Sequence, residues 1–237
     1  YYYPFEYYPN RTRGEYEYEF YNYKDAVEYS LNENEKYKDL DNDGILLSGI
    51  ELGLTSLNFD ISEEIMNDSR IDFVLASCHQ LTGREDFAFL NYRNTNINSL
   101  MKEYFEELLK IASWGKFDVL SHLNYPMRYT SKAGIDVHLS EYNEIIREIF
   151  KVLIYKNCGI EVNTSGIRNK YAHCYPPLKY VKMYREMGGE LITVGSDCHK
   201  LSHLGMNITD GIELVKSAGF NYITIFKNRE PEFLRLN

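Results

Sequence analysis

From residue 44 onward, short apolar runs rich in Ile, Val and Leu alternate with longer stretches in which apolar residues recur every three to four positions. The runs Ile45–Leu52, Asp72–Cys78, Phe117–His122, Gly159–Asn163, Leu191–Ser196 and Tyr222–Phe226 predict strands. Between them, Leu100, Tyr104, Leu108 and Ile111 make one helical stripe, and Ile145, Ile149, Val152 and Leu153 make another. Leu178, Val181 and Tyr184 continue the pattern, and Ile212 and Val215 lead to Gly219 as a C-terminal stop. A Glu- and Lys-rich helix over 24–38 precedes the first strand. Such alternation implies parallel strands joined by crossover helices. Six units of this kind fit an α/β barrel, whose strand C-termini meet at one rim, where such folds carry their chemistry. No Gly-rich phosphate loop follows a strand, so a dinucleotide fold has no support.

Composition narrows the choice of partners. The 237 residues carry a formal net charge of −9, which argues against a nucleic-acid surface. No apolar run reaches the ~18–20 residues of a membrane span. No leader with a charged start and an apolar core is visible, and the four cysteines form no C-x-x-C pair, so the expected compartment is a reducing cytoplasm.

The strand ends hold the candidate chemistry. The first strand delivers Glu51 in SGIELGL, the second His79 in VLASCHQL, and the third His122 in DVLSHLNYP. The fourth ends on Glu161 and Asn163, and the fifth, ITVGSDCHK, on Asp197 and His199. Imidazole and carboxylate are what proteins offer to divalent first-row metals, and one barrel rim would gather all five of Glu51, His79, His122, Asp197 and His199. On an extended backbone, alternate residues share a face, so Asp197 and His199 would point together while Cys198, like Cys78, packs away. Arg128 and Arg168 lie in rim loops where a guanidinium fork suits phosphate oxygens. Glu161 is expected on the barrel wall, outside the metal set. DLDNDG at 39–44 matches half of a calcium loop but has Ile50 where the bidentate Glu belongs, so it reads as a polar turn. His138, His173 and His203 are expected at the surface.

SGIELGL, ASCHQL, SHLNYPMRY, GIEVNTSGIR and GSDCHK, in this order and spacing, resemble the polymerase and histidinol phosphatase (PHP) superfamily, and within it the monofunctional histidinol-phosphatases. The resemblance implies a distorted (βα)7 TIM-like barrel, a single domain over 1–237, and two or three divalent ions (Zn, Mn or Fe). It makes Glu51 the bridge between two ions, His79 and His122 the other ligands of one, Asp197 a ligand of the second and His199 of the third. It also implies phosphomonoester hydrolysis by a metal-bound water held by Glu51 and Asp197, with Arg128, Arg168 and Asn163 on the substrate. The implied substrate is L-histidinol phosphate, hydrolysed to L-histidinol and phosphate in histidine biosynthesis. Other readings are another small phosphate ester, or a metal-binding module without catalysis. The family's opening H-x-H strand has no counterpart, since no His precedes His79. The expected barrel therefore lacks its first one or two βα units. Asn124 stands where the family usually has Asp.

Overall fold

The computed structural model of the chain describes residues 23–38 and 45–237. Helix α1 (Tyr23–Lys38) leads to β1 (Gly49–Leu52), α2 (Phe59–Met66), β2 (Phe73–Ala76), α3 (Ile97–Trp114) and β3 (Val119–Leu120). Then come α4 (Met127–Lys132), α5 (Asn143–Tyr155), β4 (Gly159–Asn163), α6 (Leu178–Glu186), β5 (Ile192–Gly195), α7 (Ile208–Ser217), β6 (Tyr222–Lys227) and β7 (Glu230–Arg235). Strands β1 to β5 are parallel and lie side by side in chain order, as a curled half-barrel.

The apolar stripes form the core. In α3, Leu100, Met101, Tyr104, Phe105, Leu108, Ile111 and Ala112 are fully buried. Burying a large apolar side chain contributes about 1.5–3 kcal/mol each, so this face holds the helix to the sheet. Asn96 Oδ1 accepts the Ser99 N–H at the start of α3, and Gly115, at φ +62°, ends it in the left-handed turn open to glycine. Strand β4 is buried at every position, as expected of a central strand in a covered parallel sheet.

Three expectations change. The first strand begins at Gly49, because pairing with β2 runs only from Gly49 to Leu52, and Asp72 accepts the Ser48 N–H at 2.8 Å just before it. The sixth strand exists but leaves the parallel sheet and pairs antiparallel with β7. This hairpin crosses the N-terminal edge of the half-barrel. Thr224 accepts the Ile192 N–H, Phe226 stacks on Phe73 at 5.2 Å, and the Asn228 N–H reaches Asp72 Oδ1. Arg229 donates to Asp118 at 2.6 Å, fastening the turn to the start of β3. The described parallel sheet therefore has five strands, not the six read from the sequence, and forms part of a TIM-like barrel. The half-calcium loop at 39–44 lies outside the described residues.

Candidate metal and phosphate site

The C-terminal ends of β1, β2 and β3 bring Glu51, His79 and His122 together. His79 Nε2 and His122 Nε2 are 3.1 Å apart, and each reaches Glu51 Oε1, at 3.1 and 3.0 Å. Donor atoms held at ~2.0–2.2 Å from one ion stand about 3–3.5 Å apart, so this triangle fits a single divalent ion in size and in chemistry. Among the described residues it is the one group of three or more ligand-type side chains whose donor atoms converge. The local chain explains the convergence. The His79 N–H bonds to Gly53 O at 2.8 Å, which folds the imidazole over a residue that has no side chain to obstruct it. Ser77 Oγ donates to Glu51 Oε1 and helps hold the carboxylate.

Burial alone would raise the Glu51 carboxyl; hydrogen bonds from His122 and His79, then their charges, outweigh it and hold the group well below the usual carboxylate range. Burial pulls the His122 imidazole down, but the bond to Glu51 and the charges of Glu51, Glu161 and Asp197 leave it above its ordinary value. Both shifts favour an anionic Glu51 with a cation beside it.

Asp197 and His199 stand apart from the triangle. Asp197 Oδ2 accepts Arg128 Nη2 at 2.7 Å, and Asp197 Oδ1 lies 3.0 Å from His199 Nε2. The two residues do meet, but not through an extended backbone: Asp197 has φ +47°. The same turn exposes Cys198, which sequence spacing had placed in the packing. Cys78 is buried as expected. Burial opposes ionisation of Asp197, yet the His199 hydrogen bond and the Arg128 charge hold its carboxyl far below the usual range.

Arg128 on α4 also donates to Ser165, and Arg168 donates to the carbonyls of Ser196 and Asp197 at 2.7 and 3.2 Å. Both guanidiniums flank Asp197. Arg128 Nε and Arg168 Nη1 are buried and have no hydrogen-bond partner among the described residues. Such orphaned donors are uncommon inside proteins, and two of them on neighbouring guanidiniums suit an anion with several oxygens.

Asn163 and Glu161 work within the strand end. Asn163 Oδ1 accepts from the N–H and hydroxyl of Ser165, and its Nδ2 donates to Glu161. Glu161 Oε2 accepts from Ser121 Oγ at 2.7 Å and from the His122 N–H at 3.1 Å, so this carboxylate supports the backbone of a site histidine. Burial raises its carboxyl, and the nearby His122 charge partly offsets this. His138 and His173 are exposed and His203 is half-buried. Sequence spacing gave no warning of Ser77, Ser121 or Tyr125. The Tyr125 ring stacks on His79 and on His122, each at 4.5 Å.

Comparison with known proteins gives the family. The PHP domain profile matches residues 18–165. A protein of Clostridium acetobutylicum named "Probable histidinol-phosphatase" is 27% identical over 173 residues, covering 73% of this chain and 68% of its own. A Thermotoga maritima protein of the same name is 31% identical over 128 residues, about half of either chain (54% and 52%). The crystal structure of a histidinol phosphate phosphatase from Lactococcus lactis, complexed with zinc, L-histidinol and phosphate, shares the fold at 23% identity and a TM-score of 0.65, covering 89% of this chain and 80% of that one. With a profile match over more than half its length, and with the matched strands ending together in a Glu and two His, this chain belongs to the PHP domain family.

Proposed function

We propose that the chain is a metal-dependent phosphomonoesterase that hydrolyses L-histidinol phosphate to L-histidinol and phosphate, a step of histidine biosynthesis, and that 1–237 forms one PHP domain. The observation that carries this reading is the Glu51–His79–His122 triangle standing beside two arginines whose buried Nε and Nη1 groups find no partner among the described residues. The substrate comes from the relatives, whose names are those of histidinol-phosphatases.

Glu51, His79 and His122 would hold one divalent ion; Asp197 and His199 are the groups available to a second, within the family expectation of two or three. Imidazole with carboxylate accepts Zn, Mn or Fe. A divalent ion there supplies Lewis-acid polarisation of a phosphoryl oxygen and makes water nucleophilic at neutral pH. The side chains do the rest. Arg128 and Arg168 bind and orient the phosphoryl oxygens through their free N–H groups and balance the charge that develops on them. Asp197, kept ionised by Arg128 and His199, would with Glu51 supply the carboxylates that hold and orient the water activated by a bound ion. Asn163 holds the turn that carries Ser165 toward Arg128.

The test is phosphate release by the zinc-reconstituted chain from L-histidinol phosphate and from an aryl phosphate. Release from both, abolished by a chelator, is the expected result. Release from the aryl ester alone points to another small phosphate ester. Zinc uptake with no hydrolysis of either makes the chain a non-catalytic metal-binding module.

A further inference from the structure

Tyr125 follows His122 by three residues and precedes Arg128 by three, and the turn that contains it folds all three side chains toward one place. The Tyr125 N–H bonds to His122 O at 2.9 Å, and the Arg128 N–H bonds to Tyr125 O at 3.1 Å. The ring then lies against both imidazoles, with centroids at 4.5 Å and planes inclined by 24° to His79 and 25° to His122. The two imidazole centroids are only 5.1 Å apart. On opposite faces of the tyrosine they would be nearly twice 4.5 Å apart, so both sit on the same side of it. The Arg128 guanidinium carbon is 5.4 Å from the same ring, within the range in which a cation is drawn to an aromatic face. Tyr125 is 1% exposed, and its hydroxyl turns to the Tyr129 hydroxyl at 2.7 Å. The flat ring is what meets the site.

We propose that Tyr125 is a positioning residue: its ring is the shared wall that sets the distance between the metal-binding imidazole pair and the phosphate-binding Arg128. A stacked ring fixes the tilt of both imidazoles, which branched aliphatic bulk cannot do, and it holds the guanidinium in register with them. This rests on the metal and phosphate reading above but not on the identity of the ester.

The experiment measures two affinities that need no turnover: zinc, by competition with a chromogenic chelator, and inorganic phosphate, by calorimetry on the zinc-loaded chain. Tyr125→Phe keeps the ring and is expected to stay within about twofold of wild type on both, whereas Tyr125→Leu and Tyr125→Met are expected to weaken both by about tenfold or more, as loss of a supporting residue at a metal site does. Tyr184→Leu is the matched control. Tyr184 is equally buried and bonds the carbonyls of Cys158 and Leu191, on the far side of the sheet strands from the site, so its loss should lower the thermal midpoint and move neither affinity. Leucine and methionine variants that bind zinc and phosphate like wild type overturn the proposal. So does a phenylalanine variant that loses either affinity, because the hydroxyl would then be the agent; that arm decides the matter even if the aliphatic variants do not fold. Coupled loss in the aliphatic variants supports the proposal whether or not histidinol phosphate is hydrolysed.

Discussion

His79 and His122 point their Nε2 atoms at each other across 3.1 Å, and both meet the same oxygen of Glu51. Two imidazolium N–H groups would collide there, so the pocket accepts one proton between the nitrogens or one cation in front of them. Zinc should therefore bind with proton release, and more tightly as pH rises through the lifted His122 value, because the site is then increasingly free of the proton that zinc must displace. Glu51→Gln, His79→Ala and His122→Ala should each lower zinc affinity by about 100-fold or more, and zinc at about 100 times its Kd should add about 2.7 kcal/mol of stability to the wild-type chain alone. Zinc competition at several pH values and thermal unfolding with and without chelator check this.

The arginines make a separate prediction. Arg128 Nε and Arg168 Nη1 have no partner among the described residues, and lysine cannot present a second N–H in a fixed fork. Arg128→Lys and Arg168→Lys should each weaken phosphate inhibition by about tenfold while zinc stoichiometry stays unchanged. Inhibition constants beside metal analysis would show the split; loss of zinc in either variant would place these arginines in the metal site instead.

Gly53 provides a steric test. A Cβ at this position would lie 2.8 Å from His79 Nδ1. Gly53→Ala has no backbone strain to contend with, so the imbalance falls on the imbedded imidazole. Zinc affinity should drop by about tenfold or more with the far-ultraviolet dichroism unchanged.

Thiol chemistry reports on the rim loop. Burial pushes the Cys158 thiol up to about 12 and the Cys174 thiol up to about 11, and raises Cys78 further still. A thiol at about 11 is thiolate in about one part per thousand at pH 8, so these three should react slowly, with rates rising tenfold per pH unit. Cys198 is exposed and should label first. A disulfide reagent at pH 8 should modify one thiol rapidly in the folded chain, and Cys198→Ser should abolish that phase.

The pattern of apolar positions determined the helices over 97–114, 143–155, 178–186 and 208–217 and the strand Gly159–Asn163, because those residues are buried where burial follows period. Helices α2 and α4 escaped it: at eight and six residues they show too few turns for a stripe. The final hairpin escaped it for another reason. Its turn uses two successive left-handed residues, Asn228 at φ +51° and Arg229 at φ +67°, and arginine is a poor advertisement for that conformation. The motifs at the strand ends pointed to the site residues one by one. What they could not tell was grouping. Glu51, His79 and His122 share a point because three adjacent parallel strands end together, whereas Asp197 sits in a left-handed turn that gives one carboxylate oxygen to Arg128 and the other to His199. Residue identity and spacing along the chain specify what each strand end offers. Which offers meet depends on register between strands and on the dihedral angles of the loops, and those are set by packing across distances that local sequence does not record.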